Sequence, residues 1–337
     1  MKILVTGASG FIGIHLCQRL ANENHDVIAL YRNRDRQVNL IHPNIKLVRG
    51  DVNSLKELAK AVQGCEIIFH LAALARPWAK NALDFQTINC DGTRNVFRAG
   101  SEAQVNRIVF ASTAGVFGAS IGNTPTNETQ PLADQLDSDY ERSKKSCEAI
   151  VSEFQATGSD IVTLYPTRVY GPGILTTSNS LTKIFDRFEM GKWRTIPGDG
   201  NSIGNYVFID DVVDGFCKAM SVSKPNERYL IGGENLSFNQ IVVELQSTTG
   251  RNHRMLNVPR SVLNVAANVE LLKANSIGRP PKITPGFVNK YLSDWIVDCS
   301  KAKSDLGYRP VSFTEGLQRT IDWIRSYRRS VKPVFLD

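Results

Sequence analysis

The chain has 337 residues, more than twice the ~150 of a common single domain, so it can bury a sizeable core, and a disulfide-stapled mini-protein is excluded. Apolar residues make up 42% and charged residues 22%, which is ordinary globular usage and not that of a disordered chain. The net charge of +7 comes from scattered basic residues with one dense run at Arg325, Arg328 and Arg329; it suits an anionic small molecule and does not amount to a nucleic-acid footprint.

The first element is a strand, Lys2 to Thr6, too short for the apolar region of a signal peptide, which points to the cytoplasm. No window reaches the ~18 unbroken apolar residues of a membrane span. The strand runs into Thr6-Gly7-Ala8-Ser9-Gly10-Phe11-Ile12-Gly13 and then an amphipathic helix through Ile12, Leu16 and Leu20. In that strand–turn–helix setting the glycines predict a dinucleotide site. Gly7 permits the turn, Gly10 lets the backbone approach a pyrophosphate, and Gly13 lets the helix pack close. The helix amides then face the anion, with Ser9, Phe11 and Ile12 beside it.

The second strand, Val27 to Tyr31, ends in Arg32-Asn33-Arg34, where NAD sites usually carry an acid for the ribose hydroxyls. Arginine suits a 2'-phosphate, so Arg32, with Arg34 or Arg36 assisting, predicts NADP(H) as the preferred cofactor and NAD(H) as the alternative. After the third strand, Ile45 to Val48, stand Asp51 and Val52. Asp51 either accepts from the adenine amino group or caps the helix at Leu55.

Further strands follow at Ile67 to His70, Arg107 to Ala111 and Ile161 to Tyr165, with helical stretches between them. The fold class is therefore α/β: a doubly wound parallel sheet of six or more strands, its ligand crevice outside their carboxyl ends. The fifth strand delivers the hydroxyls of Ser112 and Thr113 to that crevice. Downstream, Tyr140 and Lys144 are one helical turn apart and share a face. A phenol with an ordinary pKa near 10 is a poor base at neutral pH, but a nearby ammonium and a cationic nicotinamide favour phenolate. Tyr140 could then exchange a proton with a carbinol or ketone.

Beyond Pro166 the chain is punctuated at Tyr170-Gly171-Pro172-Gly173, Ile196 to Gly200 and Gly278 to Pro281. Residues 1–167 read as the dinucleotide-binding domain, with a segment around 206–231, beginning at a strand from Tyr206 to Ile209, returning to its sheet. Residues 168–337 are mainly a smaller substrate lobe, with helices from Ile209 to Met220 and from Phe313 to about Ser326. Phe185, Phe188, Trp193 and Tyr206 either wall a pocket or belong to the core. The six cysteines, without CxxC or paired histidines, read as buried hydrophobes, and no metal site is expected.

As a set, TGASGFIG and YERSK, with His70-Leu71-Ala72-Ala73, Asn89 to Thr93, Tyr165 to Gly173 and Tyr206 to Val212, resemble the extended short-chain dehydrogenase/reductase family. That family includes the NAD-dependent epimerase/dehydratases, and the resemblance covers nearly the whole chain. It implies a Rossmann fold with a smaller C-terminal substrate-binding lobe, and Thr113, Tyr140 and Lys144 as the catalytic set. Lys144 would also hold the nicotinamide ribose. Leu71, Ala72 and Ala73 would line the cofactor path, with Asn89, Tyr165 and Thr167 on the cofactor side. Ser112, Thr113, Arg168 and Tyr206 would face a small-molecule substrate. A homodimer through the helices carrying Asn89 and Tyr140 is also implied.

Arg32, Gly198 to Asn201, Pro280 to Thr284 and Asp298 to Pro310 look like the branch of dihydroflavonol reductases and 3β-hydroxysteroid dehydrogenases, which interconvert a ketone and a secondary alcohol. A nucleotide-sugar epimerase or dehydratase is the alternative; Arg168 in place of the usual Asn, and Gly204-Asn205 in place of Arg-Asp, weaken it. A non-enzymatic dinucleotide-binding protein is the third reading, against which Thr113, Tyr140 and Lys144 argue.

Overall fold

Short β-branched runs alternating with amphipathic stretches build one large parallel sheet here. The computed structural model describes residues 1–32, 40–222 and 224–330; Arg34 and Arg36 lie outside them. The strands are β1 (Lys2–Thr6), β2 (Asp26–Tyr31), β3 (Ile45–Arg49), β4 (Ile67–His70), β5 (Arg107–Ala111), β6 (Ile161–Pro166), β7 (Arg168–Tyr170), β8 (Thr195–Pro197), β9 (Ile203–Phe208), β10 (Arg228–Ile231), β11 (Glu234–Ser237) and β12 (Leu256–Val258). Seven of them form the sheet, in the order β10-β6-β5-β4-β1-β2-β3, and every pair is parallel. The winding reverses between β1 and β4, which opens a crevice at their carboxyl ends.

The helices are α1 (Phe11–Asn22), α2 (Leu55–Ala61), α3 (Leu83–Phe85), α4 (Gly92–Glu102), α5 (Asp139–Ala156), α6 (Ser180–Glu189), α7 (Ile209–Ala219), α8 (Phe238–Thr249), α9 (Arg260–Ile277), α10 (Pro285–Tyr291), α11 (Ser300–Asp305) and α12 (Phe313–Ser330). Strand alternation sends Ile3 and Val5 to one face of the sheet, where they meet Leu16 and Leu20 of α1 and Val212 and Phe216 of α7. Leu4 goes to the other face with Ile68 and Phe110, against Leu58 of α2, Phe97 of α4 and Cys147 of α5. Both faces are covered, as a parallel sheet requires.

The strand expected to return at Tyr206 does not join this sheet. β9 pairs with β7 and β11 in a separate three-stranded sheet, because β7 leaves the large sheet directly after β6 and offers its own edge. The returning strand is β10, which follows α7 and takes the free edge of β6. α12 continues past Ser326 because Arg325 and Arg328 bond Glu189 and Asp186 of α6 and hold the last turns down. Phe185, Phe188 and Tyr206 are core. The six cysteines are unpaired thiols in buried positions. Among the described residues no helix is long and apolar enough to cross a membrane.

Candidate active site

The turn after β1 is shaped by contacts that only glycine allows. Gly7 has φ +69°, and a Cβ on it would lie 2.7 Å from the Ala72 nitrogen; a Cβ on Gly13 would collide with the Gly7 carbonyl oxygen. Gly10 opens α1 in an extended conformation with no side-chain cap and no acid in the first turn. The first helix amides therefore keep unused donors and a positive dipole end facing the crevice. These residues fit a dinucleotide pyrophosphate.

A cleft of about 580 Å³ runs from this turn across the sheet. Ser9, Phe11, Ile12, Leu71, Ala72 and Ala73 all line it. At one end it is bounded by Arg32, Asp51 and Val52. Arg32 is 63% exposed and its Nη1 lies 3.7 Å from Asp51 Oδ2, a solvent-screened pair worth little. Asp51 does not cap α2: Ser54 does, accepting from Glu57 N, while Asp51 accepts from Asn53 N.

Beneath the cleft a buried relay ties the glycine turn to the helix of Tyr140. Ala72 N–H donates to Thr6 Oγ1, which contacts His70 Nδ1 at 2.7 Å. On the other side His70 Nε2 lies 2.9 Å from Thr93 Oγ1, and Thr93 donates to the Asn89 carbonyl. Since Thr93 spends its proton there, Nε2 must be the protonated nitrogen and Nδ1 the acceptor. Burial, with some help from the Lys144 charge, lowers the His70 pKa to about 3, so the ring is neutral and structural. Asn89 is buried. Its Oδ1 accepts from Leu74 N at 2.6 Å and its Nδ2 donates to Ser143 Oγ at 2.8 Å.

Ser138 caps α5, which places Tyr140 in its first turn on the cleft wall. Thr113, just after β5, lines the same wall, its hydroxyl accepting from Gly115 N. Burial raises the Tyr140 pKa above its ordinary value, Glu141 and Cys147 add to that, and the nearby Thr113 hydroxyl opposes it. Lys144 lies one turn on, buried behind the wall, with Nζ 4.0 Å from the Phe110 ring centroid. Burial lowers its pKa. In the chain alone, desolvation of the phenol therefore outweighs the acidifying effect expected of Lys144.

Other expected site residues serve as supports. Ser112 lines the cleft but its hydroxyl donates to Glu148 Oε1 at 2.7 Å. Tyr165 is not on the cofactor side of the wall: it is fully buried, donates to Glu148 Oε2 and accepts from Arg228 Nε. Thr167 lines the cleft and donates to Asn205 Oδ1. Arg168 also lines it, with Nη1 3.0 Å from Tyr206 Oη and Nη2 2.9 Å from the Lys290 carbonyl. Tyr206 is 1% exposed; it stands behind Arg168 and does not reach the substrate space, because β9 turns that ring into the core.

Three residues escaped the sequence reading. Glu148 falls one turn after Lys144, a spacing that could have revealed it. Glu141 and Lys290 pair at 2.7 Å and join α5 to α10; they are 149 positions apart, so no local pattern signals that contact.

A parallel sheet with an uncapped helix end at its switch point, facing a tyrosine on the opposite wall, belongs to the nicotinamide-dependent enzymes of the extended short-chain dehydrogenase/reductase class. Within that class the chain belongs to the NAD dependent epimerase/dehydratase family, whose sequence profile matches residues 3–232. It is 29% identical over 328 residues to a putative dihydroflavonol 4-reductase of Synechocystis sp., covering 96% of this chain and 94% of that one. It is 26% identical to 3beta-hydroxysteroid-dehydrogenase/decarboxylase isoform 1 of Arabidopsis thaliana, covering 95% of this chain and 78% of that one. Among solved structures, the UDP-glucose 4-epimerase of Thermotoga maritima with UDP-glucose superposes with a TM-score of 0.81 at 26% identity, covering 97% and 99% of the two chains.

Proposed function

We propose that this protein is a cytoplasmic NADP(H)-preferring oxidoreductase that interconverts a ketone and a secondary alcohol on a small-molecule substrate. The observation that carries this reading is the Tyr140–Thr113 pair on the wall of a cleft whose other end holds Arg32. Gly7, Gly10 and Gly13 would seat the pyrophosphate, with Arg32 at the 2'-phosphate and Lys144 near the nicotinamide ribose. When bound, the nicotinamide supplies or takes the hydride.

Tyr140 handles the proton. With its pKa raised, the phenol keeps its proton at neutral pH and is suited to give it to a carbonyl oxygen as that oxygen gains negative charge. Thr113 orients the phenol and offers its own hydroxyl to the same oxygen. Asn89 and Glu148 hold the surrounding backbone and side chains in place. Residues 168–337, apart from α7 and β10, would shape the substrate end of the cleft. A homodimer through the helices carrying Asn89 and Tyr140 accompanies this reading.

The similarity to a UDP-glucose 4-epimerase favours a second reading, in which the hydride returns before product release. Against it, the Arg168 donors are taken up by Tyr206 and the Lys290 carbonyl, and Lys290 is paired with Glu141, so a nucleotide diphosphate would have to displace these bonds.

The test is turnover of a panel of ketones followed by loss of reduced-nicotinamide absorbance. Net oxidation of NADPH, falling by about 10²- to 10⁴-fold in Tyr140→Phe with NADPH binding retained, is the expected result. Interconversion of UDP-sugars with no net change in the cofactor would replace this reading with the second one.

A further inference from the structure

α9 carries a second apolar face, on the side away from the protein body. Only Ala267 and Ala274 are buried, while Val262, Val265, Val269, Leu272 and Ile277 are exposed, Val265 at 65% and Leu272 at 68%. At 100° per residue the two alanines share the inward side with the half-buried Leu263 and Leu271, and Val262, Val265, Val269 and Leu272 fall together on the outward side. A surface helix normally presents polar and charged residues on that side.

We propose that this face of α9 docks on the surface of an anionic lipid bilayer. The charges around it point to that occupant. Glu270 is the only acidic residue between Pro259 and Ile283 and is taken up by Lys273 at 3.6 Å and by Lys282 N, which leaves Arg260, Arg279 and Lys282 as the uncompensated cations of the segment. Basic residues flanking an apolar face are attracted by the negative potential of anionic lipid. A second copy of the chain fits less well: a two-fold contact would bring these cations against one another. The stripe from Val262 to Leu272 spans about 15 Å by ~10 Å, roughly 150 Å², far below the ~800 Å² per partner of a stable interface. Lying in the interface needs no such area and no spanning length.

The helix also adjoins the mouth of the cleft. Arg76 and Pro77 line the cleft, the adjacent Trp78 donates from Nε1 to Asn275 Oδ1 of α9 at 3.3 Å, and the Lys80 stem approaches Gly278. α10, which packs on α9, closes the cleft through Phe287 and Tyr291. Docking would therefore bring the opening to the lipid surface.

The test is co-sedimentation of the full chain with phosphatidylcholine vesicles, with and without about one-third phosphatidylglycerol. Expected is binding to the anionic vesicles that weakens with salt and drops at least about tenfold in Val265→Gln/Val269→Gln/Leu272→Gln, with NADPH affinity unchanged as a check on folding. Arg279→Glu/Lys282→Glu, which leaves the apolar face intact, should lower binding to anionic vesicles as well. Absence of binding at low salt, or equal binding by wild type and both variants, would overturn the proposal. So would a triple variant that turns a dimer into a monomer in sedimentation velocity, since a second copy would then cover the face. The readout is binding, so failure of the catalytic reading would leave this result standing.

Discussion

Asn89 donates to Ser143 Oγ across 2.8 Å of buried space, and Ser143 in turn donates to the Tyr140 carbonyl. One amide therefore joins the helix of Tyr140 to the cleft-lining loop whose Leu74 N–H it also accepts. Neither Asn89 nor Ser143 lies on the cleft wall, so their contribution is to position Tyr140.

Asn89→Ala leaves Leu74 N–H without its partner and lets the first turns of α5 shift. An unsatisfied buried donor costs about 1–3 kcal/mol, and a displacement of about 1 Å at a reacting group can cost up to ~10²-fold. A lower Tm together with about a tenfold fall in kcat is expected, with the NADPH dissociation constant little changed. A variant whose kcat stays at the wild-type value would remove the positioning role.

Arg32→Ala tests cofactor choice. Hydrogen bonds to a charged group contribute about 1.5–3 kcal/mol, so the KM for NADPH should rise roughly 10- to 100-fold while that for NADH stays put. Equal changes for both cofactors would mean that Arg32 does not read the 2'-phosphate.

His70 predicts an acid-sensitive fold. Its pKa is about 3 in the folded chain against 6.5 unfolded; between those values the unfolded chain binds a proton that the folded chain refuses. Its contribution is thus complete above pH 6.5 and is lost as pH falls toward 3, by at most about 1.4 kcal/mol per pH unit. Urea unfolding at pH 7 and pH 4.5 should show a smaller loss of stability on acidification in His70→Asn than in wild type. An identical loss would place a proton on His70 in the folded state.

How much was readable in advance depended on distance along the chain. The glycine turn, the strands of the large sheet, and the shared face of Tyr140 and Lys144 are properties of neighbouring residues. β10 and β9 were harder to tell apart because both are short apolar runs, and which one takes the free edge of β6 depends on where β7 leaves the sheet. The surroundings of Tyr165, Tyr206 and Glu141 carry no local signal, because their partners, Arg228, Arg168 and Lys290, come from distant segments.

The amino-acid order by itself determined the parallel sheet, the dinucleotide turn and the tyrosine–lysine helix, since periodicity, glycine spacing and helical pitch act within a few residues. Only the tertiary structure decided that burial raises the Tyr140 phenol, that Arg168 is held by Tyr206, and that α9 leaves Val262, Val265, Val269 and Leu272 facing outward. Desolvation and exposure depend on which remote surfaces meet, and no local pattern carries that information.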